Sequence, residues 1–202
     1  MMAALRTRWL LLVLALAGSS SGAQQAAKIH MHLDDGYAAD GMLFAPSVAQ
    51  APAALLLIHD DWGVTGRVLD EARDFARSGY LVVAVDLYRG RVAANAQEAA
   101  ALARGLSPDG ALHDLRASIA FIRQQTNVRP DHIGVVAWSS GGAYALQLAA
   151  GEPHVSAVVI NGSTRAADPS QIKSLKASVL ALGRTQDAHA RMQEFLKAKL
   201  RE

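Results

Sequence analysis

Five short segments of the chain are almost wholly apolar: Ala53–His59 (AALLLIH), Tyr80–Val85 (YLVVAV), Asp131–Trp138 (DHIGVVAW), Val155–Asn161 (VSAVVIN) and Ser178–Leu182 (SVLAL). Continuous apolar runs of this length, rich in Val, Ile and Leu, mark strands buried on both faces. Residues 28–33 (KIHMHL) instead alternate, Asp34-Asp35-Gly36 is a turn signal, and Tyr37–Ala45 reads as the second arm of a hairpin. Helical periodicity covers residues 68–78, 95–104, 109–125, 140–150 and 188–201, with a short helix or loop over 168–176. A hairpin followed by alternating strand and helix predicts an α/β fold: a mainly parallel, doubly wound sheet with an N-terminal β-hairpin. Ligands of such sheets bind beyond the carboxyl ends of the strands. His59, Asp86, Ser139, Asn161 and the 183–187 loop all fall at those ends.

The first 23 residues stand apart from this pattern. Arg6 and Arg8 precede a nine-residue apolar run, Trp9–Ala17, and Ser21-Gly22-Ala23 has the small-x-small form of a cleavage site. Residues 1–23 therefore read as a signal peptide, with the mature chain starting near Gln24. The run is too short to span a bilayer. The expected location is secreted or periplasmic, with no membrane attachment after cleavage, and residues 24–202 form one domain. The chain carries 20 Lys and Arg against 18 Asp and Glu. With Arg6 and Arg8 in the leader, the remainder is balanced, and no basic patch argues for nucleic acid. There is no cysteine, so disulfides, cysteine metal sites and a cysteine nucleophile are excluded.

The candidate chemistry lies in VVAWSSGGAYALQLAA, residues 135–150. A buried strand that turns at a serine into a helix is the pattern of a nucleophile elbow. The turn needs small residues two before and two after the serine, here Ala137 and Gly141 around Ser139. Gly142 and Ala143 then let the helix pack close to the strands. The Ser140 N–H sits at the helix start, where it can face a developing oxyanion. Ser140 is a rival nucleophile by composition, but the spacing of small residues favours Ser139.

At this point the chain resembles the dienelactone hydrolase family of α/β-hydrolases. The resemblance rests on LLLIHDDWG, GYLVVAVDLYRGR, RPDHIGVVAWSSGGAYAL and SVLALGRTQD, in that order. It implies an enzyme that cleaves an ester, lactone or related acyl bond of a small molecule, and nothing in the sequence implies a cofactor. Ser139 stands where the family usually has a nucleophilic cysteine. Asp187 matches the triad acid, the Ser140 and Asp61 N–H groups match the oxyanion hole, and Asp60 stands at a family glutamate. Asp86 and Arg89 match a loop near the substrate, so Arg89 or Arg91 could meet a substrate carboxylate. Trp62 and Trp138 could line the pocket, with core packing the expected role of Trp138.

One departure follows from the same resemblance. The family's histidine lies in a loop after one more strand, and the sequence reaches Glu202 within the helix expected before it. The base would then be His189, His59 or none. His30 and His32 belong to the hairpin, His113 and His132 are expected in solvent, and His154 lies at the far end of the sheet. Asp60, Asp61 and His59 are not expected to bind metal, because adjacent carboxylates on an extended chain point apart. The expectations are a C-terminally shortened hydrolase, or a relative acting as a binding protein or fragment. Loss of the last strand would expose a strand edge and the apolar face of the last helix, favouring a homodimer.

Overall fold

The computed structural model describes residues 26–32, 36–46, 48, 51, 53–126, 128–129, 131–162, 172–173, 175–183 and 185–201. The expected leader and most of the 168–176 segment lie outside the described residues. Seven strands form one sheet: β1 (Ala26–His32), β2 (Ala38–Phe44), β3 (Ala54–Ile58), β4 (Leu81–Val85), β5 (Ile133–Trp138), β6 (Val155–Asn161) and β7 (Ser178–Leu182). Their spatial order is β1-β2-β4-β3-β5-β6-β7. The β1–β2 and β2–β4 pairs are antiparallel, and every later pair is parallel.

The helices are α1 (Gly66–Arg77), α2 (Ala96–Gly105), α3 (Pro108–Arg123), α4 (Gly141–Gly151) and α5 (Ala188–Leu200). Right-handed crossovers decide their faces. The step from β3 to β4 runs one way along the sheet and puts α1 on one face. The steps from β4 to β5 and β5 to β6 run the other way and put α2, α3 and α4 opposite. The two-sided burial read from sequence follows from this. Leu56, Ile58, Val83, Val135 and Ile160 pack under α2–α4, while Leu55, Leu57, Val82, Val136 and Val159 pack under α1 and α5.

Two expectations are corrected. The last helix does not leave an apolar face open: Ala188, Met192, Leu196 and Leu200 are buried on the α1 side of the sheet. An amphipathic helix gains most by covering apolar strand faces, so it folds back on the sheet it has just left. The strand edge remains as expected, with β7 at the end of the sheet and Ala181 exposed. His113 and His132 are half-buried rather than solvated. His113 stacks on Tyr37 at 4.0 Å, and the His132 ring bonds the Leu200 carbonyl through Nδ1 at 2.8 Å.

Candidate active site

Trp138 ends β5, and Ser139 follows with φ of 46°. For a residue with a Cβ this left-handed conformation costs about 1–2 kcal/mol. It is held from both sides: the Ser139 N–H donates to the Asn161 carbonyl at 3.0 Å, and the Ser139 carbonyl accepts from the Gly142 N–H at 3.1 Å. The helix then starts so close to the sheet that a Cβ at Gly141 would lie 2.6 Å from the His59 carbonyl oxygen. At Gly142 it would lie 2.5 Å from Ile160 Cγ2. Glycine is thus required at both positions by close approach, and the sequence reading of the elbow holds in its geometry.

The loop after β3 completes the constellation. Register in the sheet sets Ile58 beside Ala137, so this loop and the elbow emerge side by side. Asp61 and Ser140 are joined by a 2.5 Å hydrogen bond from Ser140 Oγ to the Asp61 carboxylate. Among the described residues, neither the Asp61 N–H nor the Ser140 N–H has a protein acceptor. Asp60 is fully engaged: Oδ1 accepts the Trp62 N–H at 3.1 Å and Oδ2 pairs with Arg67 at 2.9 Å. The Arg67 guanidinium lies over the Trp138 ring, 5.3 Å from its centroid.

Among the described residues, one cavity lies on each side of the elbow. The larger, about 740 Å³, opens on Ser139, and its wall includes Trp62, Arg67, Glu71, Trp138 and His189. The smaller, about 320 Å³, lies against Asp61 and Ser140, with apolar walls from Leu87, Leu106 and Tyr144 among others. Asp60 borders both.

The histidines at this end divide sharply. His59 is buried at 3% exposure. Its Nδ1–H donates to the Asp60 carbonyl at 2.6 Å, and its Nε2 accepts the Leu87 N–H at 3.2 Å. Burial also holds its pKa below the ordinary histidine value. With both ring nitrogens committed, His59 has no lone pair for the Ser139 proton, which corrects its candidacy as base. It braces the loop that carries Asp61. His189, in the first turn of α5, lines the Ser139 cavity, and its Nδ1 is 2.8 Å from Glu71 Oε2.

The remaining sequence candidates scatter. Asp187 is exposed and is not on the wall of either cavity. Because α5 starts at the very next residue, its carboxylate turns to Thr185, and that hydrogen bond pulls its pKa below the usual carboxylate value. The hydrogen bonds of His59 and His189 go to other partners. Arg89 is likewise not a substrate-facing cation. It has φ of 55° and bonds Asp114 Oδ1 at 2.7 Å and the Tyr37 hydroxyl at 3.1 Å. Buried Asp114 needs a cation, and Arg89 is within reach across α3. Arg91 is exposed and absent from both cavity walls. Trp62 is on the larger wall as expected; Trp138 is both core and wall. Glu71 and Arg67 carry no local sequence signal. They read as polar positions of an amphipathic helix, and only the seating of α1 turns them to the cavity.

Solved structures share this architecture. A dienelactone hydrolase from Anabaena variabilis superposes with a TM-score of 0.61 at 21% identity, over 88% of this chain and 82% of that one. A dienelactone hydrolase-like promiscuous phosphotriesterase from metagenomic libraries gives 0.68 at 18% identity, over 88% and 77%. At this identity the likeness concerns the fold alone, a mainly parallel sheet with helices on both faces. The sequence itself goes further: residues 39–202 match the model of the dienelactone hydrolase family, and the chain belongs to that family. It is 27% identical over 116 residues to the "Probable 2-oxo-3-(5-oxofuran-2-ylidene)propanoate lactonase" of Bradyrhizobium sp., covering 56% of this chain and 46% of that protein. The chain spans about half the length of the curated relatives it matches.

Proposed function

We propose that the chain is an exported hydrolase that opens an ester or lactone bond of a small molecule with Ser139 as nucleophile. The observation that carries this reading is the strained serine, φ 46°, which opens on the larger cavity next to the Ser140–Asp61 contact, whose two N–H groups have no acceptor among the described residues. Strain of this kind persists at sites where the geometry is used. Export rests on the leader pattern of residues 6–23. The lactonase name of the Bradyrhizobium relative makes a lactone the first substrate class to try.

The steps follow from the groups present. Ser139 Oγ attacks the carbonyl carbon and its proton passes to His189, the histidine on the same cavity wall, through water in the cavity. The carbonyl oxygen gathers negative charge, which the Asp61 and Ser140 N–H groups stabilise. The acyl C–O bond breaks, and the leaving oxygen takes the proton from His189. A water then adds to the acyl-enzyme, gives its proton to His189, and the acid departs as Ser139 regains its hydrogen. A base contributes about 10²- to 10⁴-fold to such a step.

Labelling of the purified protein with a fluorophosphonate, read by intact mass, tests the reading. One adduct on the wild type and none on Ser139→Ala supports it. No adduct on the wild type would sink it and leave the elbow as a turn in a non-catalytic binding protein. Sedimentation of the same sample would test a homodimer through the β7 edge.

A further inference from the structure

A serine hydrolase needs more than a histidine near the nucleophile. The imidazole must present a lone pair, and a third group must hold the ring in that tautomer. The resemblance assigned that third role to Asp187. The structure leaves Asp187 exposed and off the cavity wall, and sets a different carboxylate beside the cavity's histidine. Glu71 and His189 lie 118 residues apart in sequence and meet across the contact between α1 and α5. Glu71 Oε2 is 2.8 Å from His189 Nδ1, and both residues border the cavity that opens on Ser139.

We propose that Glu71 is the positioning carboxylate of His189, so that the nucleophile, base and orienting acid are Ser139, His189 and Glu71. This rests on the serine-hydrolase reading. A carboxylate accepts and does not donate, so the neutral ring carries its hydrogen on Nδ1 and its lone pair on Nε2. The Gln193 side-chain nitrogen lies 3.4 Å from that Nε2 and 3.1 Å from Ser78 Oγ. It is an N–H donor, which agrees with the same tautomer, and the contact is long enough to yield to a stronger donor. The Phe75 ring, 5.7 Å away at an interplanar angle of 31°, braces the imidazole from the side. Glu71 keeps a side-chain exposure of 21% and His189 of 41%, so the pair stands at the cavity wall with access to water and substrate.

The pairing also explains how α5 can begin right after Asp187. The early helix start makes His189 the second residue of α5, where its ring meets Glu71 of α1. A neighbour on α1 is then the available carboxylate. When the imidazole takes the Ser139 proton it becomes a cation, and Glu71 stabilises that charge without itself accepting the proton.

The test is a labelling-rate cycle with a fluorophosphonate. In that reaction Ser139 Oγ bonds to phosphorus, fluoride leaves, and the hydroxyl proton passes to His189. Glu71→Ala is expected to slow labelling at least tenfold. Glu71→Gln, which keeps an acceptor for Nδ1–H, should recover part of the loss and also guards against misfolding of the alanine variant. Groups that act as a unit are non-additive. The double variant Glu71→Ala/His189→Ala should therefore be no slower than His189→Ala alone, and added imidazole should raise both equally. Glu194→Gln, an exposed charge change on the same helix, should leave the rate within twofold. Multiplying single-variant losses, or a silent Glu71→Ala, would overturn the assignment while labelling of the wild type kept the hydrolase reading intact. Loss of labelling in Asp187→Asn with Glu71→Gln unaffected would return the role to Asp187. A wild type that takes no label removes both readings at once.

Discussion

Gly141→Ala tests the argument that the elbow exists because the helix meets the sheet with no room for a side chain. The new Cβ would sit 2.6 Å from the His59 carbonyl oxygen, 3.1 Å from the Ile58 carbonyl oxygen and 3.1 Å from Ile58 Cγ2. Two of these neighbours are buried backbone carbonyls at the end of β3 and just after it, so no rotamer change relieves the contact. Either α4 or the end of β3 must move by several tenths of an ångström. Overpacking of this kind costs about 1–3 kcal/mol. Alanine's better helix propensity returns about 0.5–1 kcal/mol. The difference is about 0–2.5 kcal/mol, and because the closest contact is backbone at 2.6 Å the expected destabilisation is about 1–2 kcal/mol within it. At about 2–4 °C per kcal/mol for a chain of this size, the Tm should fall by about 2–8 °C. Gly105→Ala is the control, since nothing lies within 4 Å of its Cβ position. It should be neutral or slightly stabilising. The same displacement moves the strand end that leads to the Asp61 N–H, so fluorophosphonate labelling of Ser139 should slow at least tenfold. Calorimetry and labelling kinetics on the three proteins give the answer. An unchanged Tm and an unchanged rate in Gly141→Ala would refute the close-approach account of the elbow.

Other predictions concern the corrected residues. His59→Gln strips partners from the buried Leu87 N–H or the Asp60 carbonyl and should cost about 2–4 kcal/mol, yet it should label faster than His189→Ala. Burial holds the His59 pKa below 6.5 in the folded chain, so the unfolded chain binds the extra proton. Its contribution to stability is then complete above about pH 6.5 and falls as pH drops from there toward the lowered folded value, by up to about 1.4 kcal/mol per pH unit. Urea melts between pH 5 and 7.5 should show this slope in the wild type and a flatter one in His59→Gln. Arg89→Ala leaves the buried Asp114 carboxylate without its cation and should destabilise by about 1–3 kcal/mol. It should leave KM for an ester unchanged, because Arg89 borders neither cavity. Trp62→Ala should do the reverse, raising KM several-fold with a stability change within about 0.5 kcal/mol, since the ring is 39% exposed on the cavity wall.

The sheet was legible because burial on two faces writes itself into composition. The runs Val155–Asn161 and Ser178–Leu182 coincide with β6 and β7 to the residue, and the other strand ends shift by no more than two. The elbow was legible for a related reason. Small residues at fixed offsets around Ser139 are a local steric requirement, and local requirements leave local marks. The charged groups around it left none. An aspartate after β7 reads as an acid at the top of the sheet, but whether it faces the nucleophile depends on where the next helix begins. Here α5 begins at once, and Asp187 is turned outward. Arg89 looked free in sequence because Asp114 lies in α3, 25 residues further along the chain. Glu71 carries no mark in the sequence because its partner is 118 residues away.

What the sequence determined by itself is therefore what burial and close packing dictate: strands hidden on both faces, the hairpin, and a serine on a tight strand-to-helix turn. What only the tertiary structure decided is which polar groups share a cavity. A carboxylate or an imidazole has the same local preferences whether it faces water, a loop or a nucleophile. Its chemistry is assigned only when packing of α1 against α5 sets Glu71, His189 and Ser139 around one space.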